Sequence, residues 1–494
     1  MSAGRLRTLG RDSLVYGLLD VANRFVGIFL VPLYTRVLAP ADYGVLDLVT
    51  TLGMVASAVL FLGLDSALLF RFNETDDADE RRRVVTAANA ATLLSVVAGA
   101  LLMYVARGPL ARAAVPGGTG AGALVALAAA ALPLQAANQV QMVLLRVRRA
   151  YRRYAVLSLG MLLLTIALNV WFVVALRMGV TGVLLAQVLA RVPAAAYGFW
   201  ATRHEFAPRL SAPLMGELVR YGSPLVVGNV AYWALLYAER YVLARMVTLG
   251  EVGLYGVATR VATFVTLVSM AIDLAWTPFA HSIQREPDAP GTYARALYWY
   301  LLAAGAAGTA LAMFAREALA VVATPAYAPA YVLVGPIVGA LILRGAANMV
   351  AIGAMVTRRT REVSAASVAS AVVDVALLVA LVPVLGGLGA ALSTLTARVT
   401  TVAWLCWRTR RAYPVPYPWG RIARLAAVFT AAVLASLAAS RLAFWPGVAV
   451  KLGVITPLAI AALFAAGAVP RREARAVLNA VLARVGGLRG AAAR

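Results

Sequence analysis

Residues 179–200 read GVTGVLLAQVLARVPAAAYGFW, and residues 386–407 read GGLGAALSTLTARVTTVAWLCW. Each stretch is mostly apolar, and a helix needs about 20 such residues to cross the hydrocarbon core of a bilayer. Eight of the 22 aligned pairs are identical, including Arg191 with Arg398. The two stretches predict a membrane-spanning helix that occurs twice in the chain, 207 residues apart.

The whole chain has the composition of a membrane protein. Of its 494 residues, 62% are hydrophobic and 13% are charged, and the mean hydropathy is +0.82. A soluble chain is about 45–50% apolar and about 25% charged. The core of a soluble protein cannot bury this many apolar residues. The chain is therefore predicted to cross the membrane many times.

Apolar runs of spanning length number fourteen along the sequence. They lie near 13–36, 43–70, 84–106, 120–145, 154–176, 180–201, 221–245, 252–283, 293–315, 329–356, 363–385, 386–407, 422–440 and 447–469.

The basic residues are distributed unevenly among the joints between these runs. With the N-terminus placed in the cytoplasm, the cytoplasmic joints and termini carry 31 of the 45 basic residues, the opposite joints 8 and the spans 6. This asymmetry is typical of the positive-inside rule and predicts that both termini are cytoplasmic. It also accounts for the net charge of +24 without a nucleic-acid partner.

The repeat predicts the architecture of an all-α polytopic membrane protein. Six spans separate equivalent positions, so the two halves are expected to be parallel six-helix repeats, followed by two extra C-terminal helices. The predicted domains are 1–205 (N-terminal lobe), 206–411 (C-terminal lobe), 412–470 (two additional transmembrane helices) and 471–494 (a basic amphipathic cytoplasmic tail).

The sequence lacks the residues that metal sites and P-loop nucleotide sites require. The chain has one cysteine, Cys406, and two histidines, His204 and His281, too few for a thiolate or three-histidine metal site. Its one lysine, Lys451, precedes Leu452 rather than Ser or Thr, so no P-loop is present. We therefore expect no metal, no organic cofactor and no enzymatic activity.

Charged residues inside the predicted spans point to a protein-lined interior, because a lipid-facing charge costs about 2.5–3.5 kcal/mol. Helical spacing places many of them on polar stripes that also carry aromatic and amide side chains. Between the two halves these stripes predict a cavity in which arginine grips phosphate and aromatic rings stack on sugars. The candidate cavity residues are Asp20, Asn23, Arg24, Asn229, Trp233, Tyr237, Arg240, Arg260 and Arg344.

Other intramembrane charges have two interpretations. Asp47, Asp273 and Asp374 are candidates to carry a coupling H⁺ or Na⁺, and a packing role is an equal alternative. Asp20 and Arg24 are spaced either to hold substrate or to form a neutralised packing pair. Arg191 and Arg398, at matching repeat positions, are expected to share an architectural role.

Four segments resemble one family of membrane proteins: VPLYTRVLAPADYG at 31–44, GLDSALLFRF at 63–72, LGEVGLYG at 249–256 and AWTPF at 275–279. Their order resembles that of Wzx-type oligosaccharide flippases, which are relatives of the lipid II flippases and of the multidrug/oligosaccharidyl-lipid/polysaccharide exporters. The resemblance covers essentially the whole chain.

The resemblance implies a function without covalent chemistry. Such proteins turn undecaprenyl-diphosphate-linked oligosaccharide from the cytoplasmic to the outer face of the bacterial inner membrane by alternating access. Lipid II flippases carry cavity arginines on the first and eighth spans, where Arg24 and Arg260 lie here. The last two spans resemble that flippase's lipid-tail groove. Expected partners are the lipid-linked substrate, the bilayer, and polysaccharide polymerases or glycosyltransferases.

Three alternatives stay open at this point. A multidrug cation antiporter of the same superfamily would favour acidic cavity residues. A membrane glycosyltransferase or polymerase normally needs a large extramembrane loop, and no joint here exceeds about 20 residues. A scaffold for polysaccharide enzymes would not transport at all.

Overall fold

The computed structural model describes residues 30–118 and 120–468, apart from the side chains of 225, 227–238, 274 and 360. These residues form helices and no β-strand. The α-helices are α1 (Val31–Val37), α2 (Pro40–Leu60), α3 (Leu64–Glu74), α4 (Ala78–Val105), α5 (Arg107–Ala114), α6 (Ala121–Val147), α7 (Tyr151–Asn169), α8 (Gly179–Thr202), α9 (Ala212–Met246), α10 (Leu249–Ala262), α11 (Thr266–Ile283), α12 (Ala289–Met313), α13 (Ala315–Val322), α14 (Tyr331–Val350), α15 (Ile352–Val356), α16 (Thr360–Leu385), α17 (Gly387–Thr409), α18 (Trp419–Ala439), α19 (Phe444–Val450) and α20 (Thr456–Ala465).

Short segments of other helical type join some of these elements. A π-helix at Val170–Ala175 continues α7, and a second at Lys451–Ile455 links α19 to α20. Turns of 3₁₀ type lie at Arg203–Glu205, Thr263–Val265 and Pro325–Ala330.

Eleven helices within the described ranges are long and apolar enough to cross a membrane, and each coincides with a predicted span. This confirms the prediction of an all-α, multi-pass membrane protein. Helices α9 and α17 cover two more predicted spans, and the first, at 13–36, is described only from Leu30. The count of fourteen stays a prediction, and the tail at 471–494 lies outside the described residues.

The second predicted span is two helices rather than one. Leu62 and Gly63 have φ angles of 51° and 63°, a left-handed conformation that ends α2 and starts α3. Glycine adopts this conformation without strain from a Cβ atom, so Gly63 permits the break.

The backbone carries the signature of the repeat at two pairs of joints. Gly179 and Gly386, equivalent in the sequence alignment, have φ angles of 59° and 55°. Arg149 and Arg358, which precede α7 and α16, have φ angles of 53° and 56°. Left-handed residues other than glycine are uncommon, so a matching pair indicates that the same turn is built twice.

The helices pack into two compact units. The described residues of the first lie within Met1–Arg260, Val322–Tyr327 and Val382–Gly387, and the second comprises Val261–Val321, Ala328–Leu381 and the described part of Leu388–Arg494. The first unit thus includes α9 and most of α10, which the repeat assigns to the second half. The domain boundaries predicted from the repeat stay a prediction.

Candidate functional site

In the first unit, α2 and α10 cross at backbone contact. A Cβ atom on Gly44 would overlap the carbonyl oxygen of Leu249, and one on Gly253 would overlap that of Pro40. Only glycine allows two helices to approach this closely. The crossing brings the polar residues of both helices into one cluster.

An ion pair lies at the centre of that cluster. Arg240 Nε donates a hydrogen bond of 2.7 Å to Asp47 Oδ2, and its Nη1 lies 3.4 Å from Glu239 Oε1. The three residues are 8%, 6% and 9% exposed. Because attraction is strong where water is excluded, the pair fastens α9 to α2. Arg240, predicted to line the cavity, is thus bound to a carboxylate, and its role as a substrate ligand stays a prediction.

Arg260 lies on α10 beside an aromatic wall. Its guanidinium carbon is 5.7 Å from the ring centroid of Tyr43, within cation–π range. The Tyr43 ring meets Tyr34 and Tyr327 edge-on, with centroids 6.5 Å and 6.0 Å apart. Tyr34 donates a 2.9 Å hydrogen bond to Asn169 Oδ1, so the wall is fixed at its far end. The fixed Tyr43 ring therefore orients the guanidinium of Arg260.

A cavity of about 210 Å³ opens beside Arg260 within the first unit. Its walls come from the start of α1 and from α2, α7, α8 and α10. The lining residues are Leu30, Tyr34, Leu46, Thr50, Met161, Thr165, Val183, Gln187, Arg191 and Arg260. Sequence reasoning missed Arg191 as a cavity residue, because its match to Arg398 indicated an architectural role. Its i, i+4 spacing from Gln187 on α8 is the signal that marks a shared polar face.

Three predicted residues lie in the second unit. Asp273 on α11 lies near Asn348 and Arg344, both on α14. Asp374 on α16 is half-buried. The structure brings Asp273 and Arg344 together, an arrangement that local spacing does not show because 71 residues separate them.

The structure describes the remaining predicted residues only in part. Asp20, Asn23 and Arg24 lie outside the described residues. Asn229, Trp233 and Tyr237 lie on α9, and their side chains are outside the described part. Their roles in the cavity stay predictions.

The second unit contains an apolar groove of about 560 Å³ between α12, α14, α17 and α18. Glycines on α12 and α14 make room for it. A Cβ on Gly305 would strike the ring of Phe429, and one on Gly335 would lie 3.2 Å from Val433. The lining is almost entirely hydrocarbon, so this groove suits an acyl or isoprenoid chain.

An aromatic chamber of about 540 Å³ adjoins that groove where α17 leads to α18. Leu301, Leu343 and Ile422 line both spaces. In the joint between α17 and α18, burial raises the pKa of Tyr413 and Tyr417 above the ordinary tyrosine value. The chamber offers ring faces together with one arginine, Arg410.

The described part of the chain contains no cluster of three or more His, Cys, Asp or Glu side chains that could hold a metal ion.

A buried pair that the sequence did not predict occurs near the end of the second unit. Lys451 Nζ donates hydrogen bonds of 2.9 Å to both carboxylate oxygens of Glu317.

Comparison with known structures identifies the fold. The structure titled lipid II flippase MurJ, inward closed conformation, has a TM-score of 0.68 at 11% identity and covers 94% of this chain and 99% of its own. An inward-facing multidrug resistance MATE family transporter of the MOP superfamily has a TM-score of 0.62 at 17% identity, covering 78% and 94%. A eukaryotic MATE transporter, AtDTX14, has a TM-score of 0.52 at 13% identity, covering 83% and 98%. No curated protein sequence matches the chain.

A family model described as polysaccharide biosynthesis protein matches residues 33–330, which is more than half of the chain. The solved structures that share this fold are a lipid II flippase and multidrug transporters. The chain belongs to the polysaccharide biosynthesis protein family, as a multi-pass membrane protein with the fold of lipid flippases and MOP-superfamily transporters.

Proposed function

We propose that this protein turns undecaprenyl-diphosphate-linked oligosaccharide from the cytoplasmic to the outer face of the membrane by alternating access. The lipid-linked glycan serves cell-surface polysaccharide biosynthesis. No bond is made or broken, so the protein supplies a path and fixed charge rather than catalytic groups.

The observation that carries the proposal is positive charge inside the first unit of a polysaccharide biosynthesis protein. The described cluster around the cavity holds the guanidiniums of Arg191, Arg240 and Arg260 and the carboxylates of Asp47 and Glu239. Guanidinium does not deprotonate, and its planar fork fits the oxygens of a diphosphate. A cavity built for organic cations would carry the opposite balance.

Within this cluster we assign different roles to two arginines. Arg240 is a positioning residue, because its ion pair with Asp47 holds α9 against α2. Arg260 lines the cavity and is the proposed diphosphate ligand, together with Arg24 as the sequence predicts. Asp20, Asn23, Asn229, Trp233, Tyr237 and Arg344 stay proposed cavity residues.

The apolar groove supports the lipid part of the substrate. Its hydrocarbon lining between α12, α14, α17 and α18 is suited to the isoprenoid tail while the glycan occupies water. A transporter of soluble sugars would need no such groove.

Ion coupling is proposed for the second unit. Asp273 and Asp374 are the candidates for H⁺ or Na⁺. Asp47 is a weaker candidate, because Arg240 already neutralises it and an arriving ion would have to displace that guanidinium.

The setting is proposed from charge distribution and family. The 31 basic residues on one side support a bacterial inner-membrane protein with both termini in the cytoplasm. The partners would be polysaccharide polymerases or glycosyltransferases. The proposed motion is a rocking of two lobes, 1–205 and 206–411. The two additional helices at 412–470 would bind the isoprenoid tail of the lipid.

A flipping assay in proteoliposomes tests the role of Arg260. Fluorescent polyprenyl-diphosphate oligosaccharide is placed in both leaflets, and the fraction protected from an external quencher is followed in time. We expect Arg260→Gln to slow flipping by about tenfold or more, since it removes a charge-assisted contact. The control is Arg36→Gln, an exposed arginine of the same unit, which should flip at the wild-type rate. Wild-type flipping by Arg260→Gln would remove this residue from the mechanism.

A further inference from the structure

We propose that the cavity of the first unit is an anion-binding site in which Arg191 and Gln187, on one face of α8, supply side-chain donors beyond those used within the described part of the protein. The expected ligand is an oxyanion of the phosphate type. Where that oxyanion is a lipid headgroup the inference rests on the proposed function, and the site itself stands on the geometry of the first unit.

The hydroxyl groups of the cavity have already used their hydrogens. Tyr34 donates to Asn169 at 2.9 Å, Thr50 to Leu46 O at 2.8 Å, and Thr165 to Met161 O at 2.7 Å. These groups cannot also donate to a ligand, since a hydroxyl carries one hydrogen.

Arg191 and Gln187 differ from them. Arg191 Nη1 donates to the backbone oxygen of Gln187 at 2.8 Å, which uses one of the five N–H donors of the guanidinium. Among the residues that the structure describes, no carboxylate lies within ion-pair distance of Arg191. The side-chain amide of Gln187 likewise makes no hydrogen bond within that part of the chain.

The charge of this site is therefore different from that of the neighbouring ion pair. Arg240 has Asp47 at 2.7 Å, whereas the cavity lining contains two arginines and no acidic residue. A guanidinium inside a membrane protein faces a partner or a water-filled space, and here the space is about 210 Å³. Since one water takes about 30 Å³, the cavity has room for a small polyatomic ion and its remaining waters.

The donor set favours an oxyanion over a halide. The guanidinium of Arg191 presents parallel N–H groups that match two oxygens on one phosphorus, and the amide of Gln187 adds a third donor one helical turn away. Arg260 approaches from α10 and adds a second positive charge. Either free phosphate or diphosphate, or the diphosphate of a lipid headgroup, has this chemistry.

The test measures binding of inorganic pyrophosphate to the purified full-length protein by calorimetry, in detergent and in phosphate-free buffer. Wild type should bind, and Arg191→Gln should weaken binding about tenfold or more, as loss of a charge-assisted contact does. Arg191→Lys keeps the charge without the fork and should fall between the two. The matched control is Arg398→Gln, the repeat equivalent in the second unit, which should change the affinity less than about twofold.

A second arm separates the two sources of the ligand. Polyprenyl diphosphate in nanodiscs is added as a competitor: displacement of pyrophosphate identifies the lipid headgroup as the occupant, and absence of displacement identifies a free anion. Both results retain the site. If Arg191→Gln does not fold, Gln187→Leu, which removes only an amide donor, is measured instead and should weaken binding severalfold. Absence of binding to wild type, or wild-type affinity in whichever of these variants folds, would overturn the proposal.

Discussion

The ion pair between α2 and α9 gives a sharp prediction for stability. Asp47→Asn keeps the shape of the side chain and removes its charge, so Arg240 stays buried without this carboxylate. The two groups meet at 2.7 Å, and unit charges with centres about 4 Å apart attract by about 4 kcal/mol at an effective dielectric constant of 20. Glu239, at 3.4 Å, offsets part of this loss. We expect Asp47→Asn to lower the free energy of unfolding by about 3 kcal/mol.

A double-mutant cycle in bicelles measures this coupling by titration with a denaturing detergent at neutral pH. Asp47→Asn and Arg240→Gln are made singly and together. Since each single variant removes one half of the Asp47–Arg240 pair and leaves the other half buried, the double variant should be less destabilised than the sum of the two by about 2 kcal/mol. Strict additivity, with each single variant losing less than about 1 kcal/mol, would refute the view that this pair fastens the helices.

Two further predictions concern packing and the last span. Gly253→Ala should lower the free energy of unfolding by about 2 kcal/mol or more, because its Cβ would overlap Pro40 O, while Gly250→Ala, where the nearest atom is 3.6 Å from the Cβ, should leave stability within about 0.5 kcal/mol in the same titration. Lys451→Met should cost about 3 kcal/mol by stranding the buried Glu317 carboxylate, and adding Glu317→Gln should recover part of that loss; a single variant as stable as wild type would contradict a structural role for the pair.

Much of the fold is predictable because crossing a bilayer imposes a simple length and polarity rule. The stretch 120–145 becomes the helix Ala121–Val147 almost residue for residue. The rule does not foresee the break at Leu62 and Gly63, since the predicted span 43–70 is long enough to cross the bilayer as one helix and neither Asp47 nor Asp65 marks a joint.

The site was less predictable because its partners are far apart in sequence. Spacing along one helix places Arg240 on a polar stripe, but Asp47 is 193 residues away, and no local pattern joins them. The predicted span 447–469 offers Lys451 no acidic partner, and the residue is fully buried against Glu317, 134 residues earlier. Long-range pairing of charges therefore needs the tertiary structure.

The central claim, that this member of the polysaccharide biosynthesis protein family carries an anionic lipid rather than a cation, is tested most directly with the wild-type protein in two vesicle assays run side by side. One follows flipping of polyprenyl-diphosphate oligosaccharide, and the other follows ion-driven accumulation of the cationic dye ethidium. We expect lipid flipping and no dye accumulation above empty vesicles. Dye accumulation without lipid flipping would contradict it.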